Sequence, residues 1–166
     1  MRFRRASDVA IEERMQLPQI TLAVDSLLEC VPLAATLVRS FCVALGASSM
    51  EASQIELCVS EAMNNAIIHA YRGEDGHPVE VIAFRNGKTF LIEIRDHGIQ
   101  MDPNILKQDR RPLLDLDLEH LDTASESGRG IAIMQSIMET LRYNSSHGTN
   151  RLVMTLSTSQ TEVSHR

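Results

Sequence analysis

The sequence predicts an α/β (α+β) two-layer sandwich, a mixed sheet with three main helices packed on one face. Three observations carry this expectation. Five short runs are β-rich, three longer runs repeat their apolar residues at three and four, and nothing in 166 residues marks a linker or an internal repeat. Hydrophobic residues make up 43% and charged residues 23%, proportions of a chain that builds one core without staples.

The elements follow in order. Residues 1–16 read as a flexible, charged tail and residues 17–157 as the domain, with a second flexible tail over 158–166. Ile20 to Asp25 (ITLAVD) is a first strand. From Leu27 to Leu45 apolar residues recur at helical spacing and Gly46 supplies a stop, while Pro32 sets the start of the regular part of this helix at that residue. Ser48 or Ser49 caps a second helix running to about Tyr71. VEVIAF and TFLIEIRD flank Asn86-Gly87-Lys88, a hairpin signal. Residues 97–127 carry Pro103 and Pro112 without sustained periodicity, as a functional lid or a disordered insert would. A third helical pattern follows Gly130 (Ile131, Met134, Ile137, Met138, Leu141), and strands near 141–145 and 151–157 meet at the turn-rich SSHGTN.

Composition narrows the function classes. A formal net charge of -6 opposes a phosphate backbone, so no direct nucleic-acid partner is expected, and Arg2, Arg4 and Arg5 read as part of a solvated tail. Cys30, Cys42 and Cys58 form no CxxC pair and read as reduced core thiols. No apolar run approaches the ~18 residues of a membrane span, and no secretory h-region opens the chain, so a cytoplasmic location without a membrane partner is expected.

The stretch EAMNNAIIHAY, Glu61 to Tyr71, places a carboxylate, two carboxamides and an imidazole in a run whose apolar residues belong on a buried helix. Unpaired polar groups are costly there, at roughly 2–7 kcal/mol depending on the reference state. Glu61, Asn64, Asn65 and Ile68 share one stripe, apart from the face of Ile55, Val59, Ala62 and Ala66. An Asn oxygen suits the edge of a hydrated Mg²⁺, and a Glu one turn earlier can accept a hydroxyl proton beside a phosphate. The same spacing also fits an exposed polar helix face. In IEIRDHGIQMDP the strand-end Asp96 can accept from an exocyclic amine and Gly98 lets the chain turn, although Asp-x-Gly is equally an ordinary turn. In ESGRGIAIM, Gly128 and Gly130 directly precede a helix, where exposed N–H groups make an anion site and Arg129 adds charge; a glycine-rich helix start without ligand reads the same way.

Their order, an acidic and amide-bearing helix, a strand-end Asp-x-Gly, a long lid, then GxG at a helix, resembles the GHKL (histidine-kinase-like) ATPase superfamily. Within it, SEAMNNAIIHAY, SGRGIAIMQSIMETLRY and GTNRLVMTL resemble the anti-sigma factor serine/threonine kinases of bacterial partner switching, over residues 17–157. The resemblance implies a Bergerat fold with a mixed, mostly antiparallel sheet, and an ATP lid over about 97–127. It implies ATP and Mg²⁺ as cofactors, Glu61 as catalytic base, Asn65 as Mg²⁺ ligand, Asp96 on the adenine amine, Gly98 against the base, and Gly128, Arg129 and Gly130 against the phosphates. It implies phosphorylation of an anti-anti-sigma factor (a STAS-domain protein), sequestration of a sigma factor or analogous regulator, and a homodimer. His69 is read as structural. The chain departs from fuller family patterns at Gln100, where many members carry a second glycine, and at Glu126, where some kinases carry an Arg; Arg129, Arg110 or Arg111 are the available substitutes. These departures leave open a nucleotide-gated regulator-binding module without kinase activity. A scaffold that binds no nucleotide is the remaining alternative.

Overall fold

The computed structural model describes residues 17–107 and 126–159. Strand β1 (Gln19–Asp25) alternates exposed with half-buried residues, and Ile20, Leu22 and Val24 face the core. Helix α1 (Cys30–Ala44) begins ahead of Pro32, which therefore lies in the first turn, where its missing N–H has no intrahelical partner to lose. Helix α2 (Ser49–Asn64) opens with a reciprocal capping box: Ser48 Oγ accepts from Glu51 N at 3.2 Å and Glu51 Oε2 from Ser48 N at 2.7 Å. It continues as a π-helical segment, Asn65–Ala70.

Strands β2 (Pro78–Asn86) and β3 (Thr89–Asp96) form the expected hairpin, with Asn86 paired to Thr89. A short 3₁₀ turn (Pro103–Lys107) and helix α3 (Glu126–Ile137) precede β4 (Thr140–Ser146) and β5 (Thr149–Ser157). The β4–β5 loop is His147-Gly148, both at positive φ (53° and 74°), which gives the mirror-image turn that matches strand twist.

The five strands lie in the order β1-β2-β3-β5-β4 and every ladder is antiparallel. The parallel pairing that a mixed sheet requires is absent from the described strands. β3 and β4, joined by the crossover through α3, run in the same direction, but β5 lies between them.

The three helices cover one face. Val79, Val81, Ala83, Phe90, Ile92, Ile94 and Met154 of the sheet pack with Val38, Ile55, Val59, Met63 and Met134 of the helices. Each fully buried aliphatic or aromatic side chain contributes about 1.5–3 kcal/mol. On the other face Glu93, 4% exposed, receives Arg95 Nε at 2.7 Å, and Arg95 reaches Glu80 at 3.6 Å.

Two boundaries differ from expectation. The ordered fold passes residue 157: Thr158 is buried and bonds Lys88 O, and the Ser159 N–H donates to Glu51 Oε1 at 3.0 Å. The early part of the expected lid is docked, with Ile105 and Leu106 against the core and Gln135 Nε2 donating to Leu106 O at 3.0 Å. The remainder of the lid, including Arg110 and Arg111, and the expected tails over 1–16 and 160–166 lie outside the described residues.

Candidate functional site

The polar run of α2 meets the glycines of α3. A Cβ at Gly130 would lie 2.6 Å from Glu61 Oε2 and 3.7 Å from Asn65 Oδ1, so only glycine lets α3 approach the carboxylate and the amide this closely. Glu61 and Asn65 are both half-buried. Asn65 Nδ2 is buried and has no hydrogen-bond partner among the described residues, a bonding capacity that a ligand can fill.

Next to them opens a cavity of about 280 Å³, close to the lower end of ligand-site volumes. Ala62, Asn65, Ala66, His69 and Ala70 line it from the α2 side, Ile131 from α3, Ile94 and Asp96 from β3, Tyr143 and Leu152 from β4 and β5, and Ile99 to Asp102 with Ile105 from the segment after β3. The lining is mostly apolar, with a few polar groups converging. The π segment shapes the α2 wall: Tyr71 N bonds Ala66 O at 3.0 Å, five residues back, which widens the turn at the site.

Asp96, 8% exposed, ends β3 opposite Asn150 of β5. Its Oδ1 accepts from Asn150 Nδ2 at 2.6 Å and from Gly98 N at 2.9 Å. Burial holds the Asp96 carboxyl above the usual carboxylate range, and the bonds from Asn150 and Gly98 partly offset that rise.

Gly98 lies where a Cβ would be 2.3 Å from the Ala70 carbonyl oxygen. The close approach expected there for a base is made by the end of α2, and Ile99 N bonds Ala70 O at 2.8 Å. The segment after β3 is held further by Tyr143, whose hydroxyl accepts from Met101 N at 2.9 Å.

Other expected residues are placed as follows. In α3 (Glu126–Ile137) Gly128 and Arg129 lie exposed within the helix instead of preceding it, and neither lines the cavity. Asn64 faces away, into a surface groove between α1 and α2, and Ile68 is 39% exposed. Gln100 lines the cavity. His69, read as structural from sequence, is an exposed residue of the cavity rim. Sequence reasoning also missed Tyr143 and Asn150 as site residues. For Asn150 a signal existed, a carboxamide at the start of a β-rich run.

Comparison with known proteins places this site in context. The sequence signature of the histidine kinase-like ATPase domain matches residues 24–156. An anti-sigma F factor from a Thermoanaerobacter species is 32% identical over 120 residues, 72% of this chain and 79% of that protein. The RsbU and RsbW domains of a Mycobacterium tuberculosis protein superpose with a TM-score of 0.59 at 15% identity; the match covers 87% of this chain and 34% of that longer one. The SiaB–SiaC complex of Pseudomonas aeruginosa matches with a TM-score of 0.62 at 14% identity, covering 89% of this chain and 96% of that one. At such identities the two structural likenesses concern the fold.

Proposed function

The chain belongs to the histidine kinase-like ATPase domain family, and from that premise we propose that it is an ATP-dependent serine/threonine kinase of partner switching. Its substrate in this reading is an anti-anti-sigma factor, a STAS-domain protein. A sigma factor or analogous regulator is the other, mutually exclusive partner, and the working unit is a homodimer. The likeness to anti-sigma F factors supports the choice of partners. Leu33 and Leu37, 68% and 51% exposed on α1, leave apolar surface that suits a protein partner.

The observation that carries the reading is the meeting of Glu61, Asn65 and Gly130 beside a cavity that Asp96 closes. The residues fit Mg²⁺-ATP. Asp96 is a carboxylate with an oxygen for the adenine amine, and the mostly apolar walls suit the base. Asn65 carries a buried amide without a partner among the described residues and a hard oxygen for the ion. Bound there, Mg²⁺ would neutralise phosphate charge. Gly128, Arg129 and Gly130, on the stretch of α3 that reaches Glu61, meet the phosphates in this reading, with Arg129 adding positive charge. Glu61 receives the proton of the acceptor hydroxyl as its oxygen bonds to the γ-phosphorus and the bond to ADP breaks.

A second reading, a nucleotide-gated binding module without phosphoryl transfer, is favoured by one observation: no lysine or arginine occurs among the described residues lining the cavity. Radiolabelled transfer from Mg²⁺-ATP to a candidate anti-anti-sigma protein separates the two. The kinase reading expects label on the partner with wild type and none with Glu61→Ala, while both bind ATP. ATP binding without label from either protein, across the STAS-domain proteins encoded in the same genome, would replace it with the binding module.

A further inference from the structure

Asn150 is 2% exposed and makes an unusual set of contacts for a strand residue. Its Nδ2 donates to Asp96 Oδ1 at 2.6 Å and to Gly98 O at 3.1 Å, with Ile99 O at 3.5 Å. All three are acceptors, so the amide nitrogen and not its oxygen must face them. Asp96 Oδ1 is thereby filled twice, since the Gly98 N–H also donates to it at 2.9 Å. Oδ2 accepts from none of the described residues, while Asp96 lines the cavity.

A carboxylate with both oxygens free accepts two parallel N–H donors, the pattern that guanine presents through N1–H and its 2-amino group. A carboxylate with one free oxygen accepts a single donor, as adenine presents through its exocyclic amine. We infer that Asn150 is the positioning residue that sets base selectivity: by occupying Oδ1 together with the Gly98 N–H, it leaves Asp96 one acceptor and restricts the cavity to a purine with a single donor at that edge. The inference rests on the nucleotide reading above. Guanine in this cavity would keep one N–H unpaired against mostly apolar walls, a loss of about tenfold in affinity on the scale of one unmade buried hydrogen bond. Removing the Asn150 amide frees a lone pair on Oδ1 and lets the carboxylate turn both oxygens to the ligand.

The test is calorimetric titration of wild type and Asn150→Ala with the Mg²⁺ complexes of ATP, GTP and purine riboside triphosphate, which lacks the exocyclic amine. Wild type is expected to bind GTP and the purine analogue about tenfold more weakly than ATP. In Asn150→Ala the ATP-to-GTP ratio is expected to fall close to one, whereas a merely structural defect would weaken all three nucleotides by the same factor. Should Asn150→Ala fail to fold, Asn150→Ser, whose hydroxyl is too short to replace the amide, gives the same comparison. Equal affinity of wild type for ATP and GTP, or an unchanged ratio in the variant, would overturn the inference and leave the ATP site standing. Wild type binding none of the three would instead sink the nucleotide reading itself.

Discussion

Asp96, Gly130 and the cysteines each carry a consequence at the residue scale. Burial raises the Asp96 carboxyl above its ordinary value. In the free protein, ionised Asp96 therefore costs stability above that raised value, and the cost is relieved as pH falls through it. Nucleotide affinity should move the opposite way, because only the ionised form accepts from an amine without restriction. A pH series by calorimetry should show ATP binding weakening at a higher pH than an ordinary carboxylate would give; flat affinity down to the normal carboxylate range would contradict the role of Asp96. Gly130→Ala sets two effects against each other. Alanine gains roughly 1 kcal/mol of helix propensity, but its Cβ would lie 2.6 Å from Glu61 Oε2, the movable end of a side chain. The expected outcome is an unchanged or raised melting temperature with phosphoryl transfer reduced by about tenfold or more, the scale of one misplaced catalytic group; retained transfer would show that the position of Glu61 is immaterial. Burial pushes the Cys42 and Cys58 thiols up to about 12, so a maleimide at pH 8 should label only half-exposed Cys30 in the native protein. Residues such as Glu61, Asn65 and Asp96 were legible because each is a polar group in an apolar pattern. His69 was not, because its facing depends on the wide π turn, which helical spacing does not foresee.

The elements were legible where local chemistry decides them. The Ser48–Glu51 capping box and the Gly87 hairpin need only neighbours in sequence, and both form. Ser48→Ala should lower stability by about 1 kcal/mol in a denaturant titration, with ATP affinity unchanged because the cap lies at the far end of α2 from Asn65. Illegible features depend on contacts across the chain. One is the inclusion of both glycines in α3, where Gly130 packs against Glu61 of α2. Gly98 is expected to act at this scale too: an added Cβ meets the Ala70 carbonyl, and backbone cannot swing aside. Gly98→Ala should cost about 1–3 kcal/mol, as overpacking does, and should loosen the Ile99–Ala70 bond that closes the cavity. A variant as stable as wild type would show that the segment after β3 docks on α2 without need of glycine.

For the whole molecule, the two-layer arrangement explains how Glu61 and Asn65, Asp96 and Gly130, one or two residues from each of three weak sequence signals, come near one another. β3 lies at the centre of the sheet, so Asp96 emerges beneath the α2–α3 seam, and β5 brings Asn150 up beside it. The strand order places these residues together, and no local pattern in the chain announces that order. The antiparallel pairing throughout follows from the same crossover, which sends β4 to the far edge of the sheet. In the proposed function this seam binds a nucleotide. Its most direct test is titration of wild type and Asp96→Ala with Mg²⁺-ATP, following binding by calorimetry and folding by circular dichroism. Saturable binding at one site per chain by wild type, lost in an Asp96→Ala protein that remains folded, is the predicted result. Absence of binding by folded wild type, or full affinity in Asp96→Ala, would contradict it.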